Sequence, residues 1–171
     1  QFTAFVQQHK QKSCRLRRAA DETETAELWQ ARRSISPATL SLRPNKISED
    51  VVVPRSKIPE LVAFTDQLAG ELDLIILTFG HAGDGNIHVN IMVDKNNEQE
   101  YANGIRAKQK LFEFVLSLDG TLSGEHGIGT TKSEFLPLEI DRTALSIMKR
   151  LKTLFDPNNI LNPGKIFPDR N

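Results

Sequence analysis

The sequence predicts an α+β domain in which a mostly antiparallel sheet is covered by helices. Segments with apolar residues at helical spacing are interspersed with short β-rich segments, and glycines and prolines separate them. Two β-rich segments also flank the pair Asp84-Gly85, which is typical of a hairpin turn. A length of 171 residues suits one domain, which we expect to span residues 1–171.

Composition and charge argue against several classes of protein. Hydrophobic residues make up 39% of the chain and charged residues 26%, as in a folded globular protein. Because 22 basic and 22 acidic residues balance, net charge gives no reason to expect binding to nucleic acid. The longest apolar stretch, 72–79, is too short to cross a bilayer. The single cysteine, Cys14, excludes an internal disulfide and fits a reducing, cytoplasmic location.

The individual elements follow from local patterns along the chain. Residues 2–35 lack glycine and proline, and they predict two helices separated by the polar stretch 21–24. Prolines then interrupt an extended region that ends in a valine-rich strand. The remaining predictions are helices at 59–70, 97–118 and 141–155, strands at 51–53, 72–79, 87–93 and 121–123, and an irregular tail.

The predicted hairpin carries two of the four histidines. If Asp84-Gly85 forms a two-residue turn, His81 lies directly opposite His88, with Cβ atoms about 4.5–5.5 Å apart. Asn90 then shares the face of His88, because side chains alternate along a strand. Two imidazoles at this separation can bind one metal ion, although paired strands also carry histidines that only share a hydrogen bond.

A second glycine-dense segment contains Glu125-His126. A simple turn accounts for the glycines but not for an adjacent glutamate and histidine. Glu125 could complete a set of two histidines and one carboxylate, which leaves metal positions open for substrate. His126 then remains as a candidate general base. Neither glycine cluster matches a phosphate-binding motif.

Several motifs in the same order resemble the C-terminal domain of FAD-linked oxidases in the vanillyl-alcohol oxidase superfamily. The resemblance is to enzymes of the glycolate oxidase, D-lactate dehydrogenase and D-2-hydroxyglutarate dehydrogenase type. It covers nearly the whole chain and implies a ferredoxin-like substrate domain. The motifs are Trp29 to Arg33, Lys46 to Val51, Val53 to Lys57, Gly80 to Asn90, Ser123 to Gly129, and Phe155 to Lys165.

The resemblance implies a site and a reaction. A divalent metal, zinc or manganese, would be bound by His81, His88 and Glu125, while His126 takes the hydroxyl proton of a 2-hydroxy acid and a hydride passes to FAD. Among the substrate-binding residues, Arg32 would bind the substrate carboxylate, with Arg33 as the alternative. The other predicted contacts are Lys46 and Asn90 to the substrate, and Asn162 and Lys165 to the flavin. Lys46 could equally be a solvated loop cation.

The sequence departs from these relatives because it contains no FAD-binding N-terminal domain. We therefore expect either a fragment of a longer enzyme, which the initial Gln1 favours, or a subunit that needs a separate flavin-binding partner. The tail from about 156 to 171 would face the flavin. The motifs do not define the electron acceptor, through which the protein could lie at a membrane surface. The alternatives are a stand-alone metal-dependent hydrolase or oxygenase, and a non-catalytic partner of a flavin subunit.

Overall fold

The computed structural model describes residues 18–167, which belong to two compact units divided after Thr39. The described part of the first unit is mainly helix α1 (Glu22–Ala38). Its N-cap is Asp21, whose side chain accepts the N–H of Glu24 at 2.8 Å. The polar stretch 21–24 therefore begins a helix, as predicted, while the first predicted helix lies outside the described residues.

Within the described residues, the second unit contains a three-stranded antiparallel sheet and four α-helices. Its elements are β1 (Asn45–Val52), α2 (Ile58–Leu72), β2 (Ile75–His81), β3 (Asn86–Val93), α3 (Glu98–Ser117), α4 (Leu136–Glu139) and α5 (Arg142–Phe155). The predicted α+β class is confirmed. Helix α4, a single turn, was not predicted. In the part of the chain that the structure describes, no helix is both long and apolar enough to cross a membrane.

The strand order β1-β3-β2 places the last strand of the hairpin in the centre of the sheet. This order, with α2 between β1 and β2 and α3 after β3, is that of a ferredoxin-like unit. The fourth strand of such a unit is reduced to a bridge in which Val52 and Thr121 exchange backbone hydrogen bonds of 3.1 and 2.9 Å. The strand predicted at 121–123 is therefore a single bridge on the outer side of β1.

One face of the sheet packs against α2 and α3 and forms the core. The sheet contributes Val51, Val89 and Ile91, which are almost fully buried, and α3 contributes Leu111 and Phe112. Because side chains alternate along a strand, the neighbours of these buried residues in β1 and β3 point to the opposite face. The opposite face carries polar residues, and the candidate site lies there.

Candidate metal and active site

The loop between β2 and β3 differs from the prediction. It has four residues (82–85) instead of a two-residue turn, and the carbonyl of His81 accepts the N–H of Gly85 at 3.0 Å. Gly85 has φ +81°, a left-handed conformation that glycine adopts without strain. His81 consequently pairs with Asn86, and the prediction that it directly faces His88 is wrong.

The two histidines nevertheless share one face of the sheet. The observed register differs from the predicted one by two residues along β3, and an even shift preserves the face of every side chain. His81 and His88 are therefore diagonal neighbours across the ladder. Their ring centroids lie 5.9 Å apart, with the rings edge to face. Phe79, directly opposite His88, packs beside its ring at 5.4 Å between centroids.

Glu125 completes the predicted cluster. Its Oε1 lies 3.3 Å from Nε2 of His88, and one ligand atom from each of His81, His88 and Glu125 lies within 4.8 Å of the others. His81 and Glu125 are exposed, whereas His88 is partly buried in the sheet. Two imidazoles and one carboxylate suit a zinc or manganese ion, and the exposed side leaves room for further ligands.

The segment that carries Glu125 is held by a residue that was not predicted to belong to the site. Oδ2 of Asp50, on β1, accepts the backbone N–H groups of Gly124, Glu125 and His126 at 2.9, 2.7 and 3.0 Å. Three successive amides directed at one point form an anion-binding concavity, and here a side-chain carboxylate occupies it. A Cβ on Gly124 would lie 2.5 Å from Oδ1 of Asn86, so glycine permits this close approach to β3.

Buried lysines neutralise Asp50 and its neighbour Glu49. Nζ of Lys132 donates to Oδ1 of Asp50 at 2.5 Å, to the backbone carbonyl of Asp50 at 2.9 Å and to that of Leu122 at 2.8 Å. On the other face of β1, Nζ of Lys108 lies 2.8 Å from Oε1 of Glu49. All four charged side chains are nearly inaccessible to solvent, so the strand, α3 and the site segment share one electrically balanced network.

The segment from Lys46 to Val51 contributes to the family resemblance, but its sequence also indicates the buried ion pairs of Glu49 and Asp50. Two adjacent carboxylates, Glu49 and Asp50, directly precede the predicted valine-rich strand 51–53. Buried acids need partners, and partners separated by more than 70 residues cannot be found from spacing alone. Lys132 was missed for the same reason.

His126 lies beside the cluster rather than within it. Its ring centroid is 5.5 Å from that of His88, and its Nδ1 lies 3.4 Å from Oδ1 of Asp50. The side chain is 54% exposed, so solvent or a substrate can reach it. This position suits a proton acceptor next to a metal-bound substrate.

Two groups of the site have shifted pKa values. Burial lowers the pKa of His88 and outweighs the opposing effect of the Glu125 carboxylate, which favours the neutral, metal-binding imidazole. Burial alone would raise the pKa of Asp50. Hydrogen bonds from Lys132 and from the backbone amides of His126 and Glu125 instead bring it below its ordinary value, so Asp50 is ionised at neutral pH.

Asn90 and Lys46 lie on the same sheet face as His88. Asn90 is fully buried, and its Oδ1 accepts the hydroxyl of Ser48 at 2.8 Å, while its Nδ2 donates to none of the described groups. Lys46 lies four residues before Asp50 on β1 and is half-buried. Arg32 and its alternative Arg33 belong to α1 in the first unit, and their predicted role remains a prediction.

The tail that carries Asn162 and Lys165 contacts the glycine-rich site segment. The N–H of Ile166 donates to the carbonyl of Gly129 at 2.7 Å, three residues after His126. Asn162 and Lys165 themselves are exposed and form a turn in which the carbonyl of Asn162 accepts the N–H of Lys165. The described part of the tail therefore contacts the site segment, whereas no described hydrogen bond joins Asn162 or Lys165 to His81, His88 or Glu125.

The relatives of this chain include proteins named as oxidases and dehydrogenases. It is 43% identical over 149 residues to the glycolate oxidase subunit GlcD of Bacillus subtilis, covering 87% of this chain and 32% of that protein. It is 38% identical over 152 residues to the mitochondrial D-lactate dehydrogenase (cytochrome) of Arabidopsis thaliana, covering 87% and 27%. It is 37% identical over 150 residues to the D-2-hydroxyglutarate dehydrogenase of Stutzerimonas stutzeri, covering 85% of this chain and 32% of that protein.

The chain therefore spans about a third of the length of these relatives. Among solved structures, the fold is similar to 4-ethylphenol oxidase from Gulosibacter chungangensis in complex with isoeugenol, with a TM-score of 0.56 and 18% identity. That match covers 89% of this chain and 32% of the oxidase. The family described as FAD linked oxidases, C-terminal domain, matches residues 2–166. On this evidence, and with the fold and motifs described above, the chain belongs to the C-terminal domain family of FAD linked oxidases.

Proposed function

We propose that this chain is the substrate- and metal-binding part of an FAD-linked enzyme that oxidises a D-2-hydroxy acid, of the glycolate or D-lactate type, to a 2-oxo acid. The observation that carries the proposal is the cluster of His81, His88 and Glu125, with ligand atoms within 4.8 Å, in a chain of this family. The names of the relatives support the class of substrate.

The donor set fits a divalent metal. Neutral imidazoles and a carboxylate are ligands that zinc and manganese accept, and three protein ligands leave positions for a hydroxy acid. The low pKa of His88 and the exposure of Glu125 both favour this use. When bound, such an ion would make the hydroxyl of a 2-hydroxy acid more acidic.

The remaining residues would position the substrate and move its proton. His126, beside the cluster and open to solvent, is placed to accept the hydroxyl proton. The buried Nδ2 of Asn90, which has no partner among the described groups, would donate a hydrogen bond to a substrate oxygen. Lys46 and Arg32 are proposed as cationic contacts to the carboxylate. When bound, FAD would supply the acceptor for the C2 hydride, and Asn162 and Lys165 are proposed to lie toward it.

We expect the purified chain to bind near-stoichiometric zinc or manganese, measured by elemental analysis. His81→Ala and Glu125→Gln should each weaken binding by more than about 100-fold, because loss of a supporting residue alone typically costs 10- to 100-fold. The metal-loaded wild type should then bind glycolate or D-lactate, detected by calorimetry.

Two control variants distinguish this site from general metal adsorption. His9→Ala changes the one histidine outside the proposed site, and Glu134→Gln removes an exposed carboxylate from another segment. Both should retain the metal. Equal loss in all four variants, or a wild-type chain that takes up no metal, would contradict the proposal.

A separate surface supports the proposed flavin-binding partner. Helix α5 has no buried residues, and Ile147, Leu151 and Leu154 form an exposed apolar stripe along it. An open groove of about 1480 Å³ runs between this helix and the segment 133–137, away from the histidine cluster. Contiguous exposed apolar patches of this kind mark interaction sites. We propose that the flavin-binding domain docks here. The patch continues into Phe155, Ile160 and Leu161.

The docking surface predicts a difference between two leucines. Leu154→Ser should change the free energy of unfolding of the chain by less than about 0.5 kcal/mol, because the side chain is 72% exposed. Leu111→Ala, in the core, should cost roughly 2–5 kcal/mol. Urea denaturation measures both. A loss at Leu154 as large as that at Leu111 would mean that α5 packs into the chain's own core.

A further inference from the structure

The site segment depends on one carboxylate for its backbone contacts. Each backbone amide has one hydrogen, and those of Gly124, Glu125 and His126 all donate to Oδ2 of Asp50. Lys132 holds the other oxygen, so the carboxylate itself is fixed. Asp50 therefore fixes the position of Glu125 relative to His88, although Asp50 is not one of the three candidate metal ligands.

The same carboxylate faces the ring of His126. Oδ1 of Asp50 lies 3.4 Å from Nδ1 of His126, although the two atoms form no hydrogen bond. The carboxylate therefore lies next to both the backbone of the site segment and the imidazole ring of His126.

We propose that Asp50 is the positioning residue of the site. It holds the backbone of the Glu125-His126 segment against the sheet and so places both side chains beside His88. This inference rests on the proposed function for its consequence in catalysis, whereas its structural content concerns Asp50 and the segment alone. Substitution of a residue that orients a metal ligand without binding the metal itself typically lowers metal affinity by about 10- to 100-fold.

The first test compares two adjacent buried carboxylates. Asp50→Asn keeps the size of the side chain but cannot accept from the three amides and from Lys132 at once. We expect its zinc dissociation constant, measured in the full chain by competition with a chromophoric chelator, to rise roughly 10- to 100-fold. Glu49→Gln is the matched control, because Glu49 is equally buried, is paired with Lys108 and lies 3.7 Å from Nζ of Lys132, but makes no hydrogen bond to the site segment.

A purely structural role would affect both variants alike. Circular dichroism and thermal unfolding establish that each variant is folded, and zinc affinity is then compared between them. Loss of affinity confined to Asp50→Asn supports the inference. Wild-type affinity in Asp50→Asn, or equal losses in the two variants, overturns it.

A second test uses only the wild-type chain without metal, and so applies even if Asp50→Asn fails to fold. The amide hydrogens of Gly124, Glu125 and His126 should exchange slowly with solvent in a hydrogen-exchange experiment, because all three donate to Asp50. Unprotected amides at these three positions would overturn the inference. Because this test needs no bound metal, its outcome is separate from that of the proposed function.

Discussion

Lys132→Met is expected to lower the free energy of unfolding by about 3–5 kcal/mol, the cost typical of leaving one buried charge without its partner. The substitution retains most of the length of the side chain but removes all three donors of the ammonium group. Asp50 would lose its counter-ion while remaining inaccessible to solvent, and the carbonyls of Asp50 and Leu122 would lose a donor. Urea denaturation at neutral pH measures the effect.

The deficit of Lys132→Met should depend on pH in a defined direction. The fold holds the pKa of Asp50 below its ordinary value of 3.8, so the ion pair stabilises the wild type above that pH and ceases to do so as the pH falls toward the folded-state pKa. The difference between wild type and variant should therefore be largest at neutral pH and shrink in acid. Lys110→Met, which breaks an exposed pair with Glu71, should change stability little. An equal, pH-independent loss in both variants would contradict the role of burial.

Gly85→Ala is expected to destabilise the chain by roughly 2–5 kcal/mol, because it combines backbone strain with a steric clash. Gly85 has φ +81°, and a Cβ there would lie 2.1 Å from the carbonyl oxygen of Val53. That contact is with backbone, which cannot rotate away. Since the loop also orients His81, the variant should bind zinc more weakly as well.

Gly83→Ala is the matched control for this substitution. Gly83 lies in the same loop, its φ is not in the left-handed region, and a Cβ there meets nothing within 4 Å. Its stability and zinc affinity should remain close to those of the wild type. Thermal unfolding of the two variants in parallel gives the comparison. If Gly85→Ala is as stable as Gly83→Ala and the wild type, glycine is not required at position 85.

The elements of the fold could be predicted from local patterns because each depends on neighbours in sequence. The helices predicted at 59–70, 97–118 and 141–155 were found within two residues of these bounds. The hairpin loop was predicted less well, since Asp84-Gly85 is a strong signal for a two-residue turn. In the structure, Asp84 instead caps the N–H of Asn86 with its side chain, and the glycine ends a longer loop.

The location of His81 and His88 on one face of the sheet could be predicted although the turn was predicted wrongly. Strand alternation keeps two histidines on one face after any even shift in register, so an error of two residues was harmless. The contact between Asp50 and the backbone of Glu125, in contrast, could not be predicted from the sequence. It depends on the tertiary contact between β1 and a segment more than 70 residues later, which no periodicity in the sequence encodes.

The buried charges of β1 also affect the edge of the sheet. Strand β1 is at the edge of the sheet, and in the described residues its outer side is paired only at Val52. Edge strands with free backbone groups invite pairing with other chains, and inward-pointing charges are one protection against it. An incoming strand beside Asp50 would have to displace Lys132, which donates to the backbone carbonyl and the carboxylate of Asp50, and would leave that carboxylate uncompensated. The lysine that fixes Asp50 behind the site therefore also disfavours the addition of another strand at this edge.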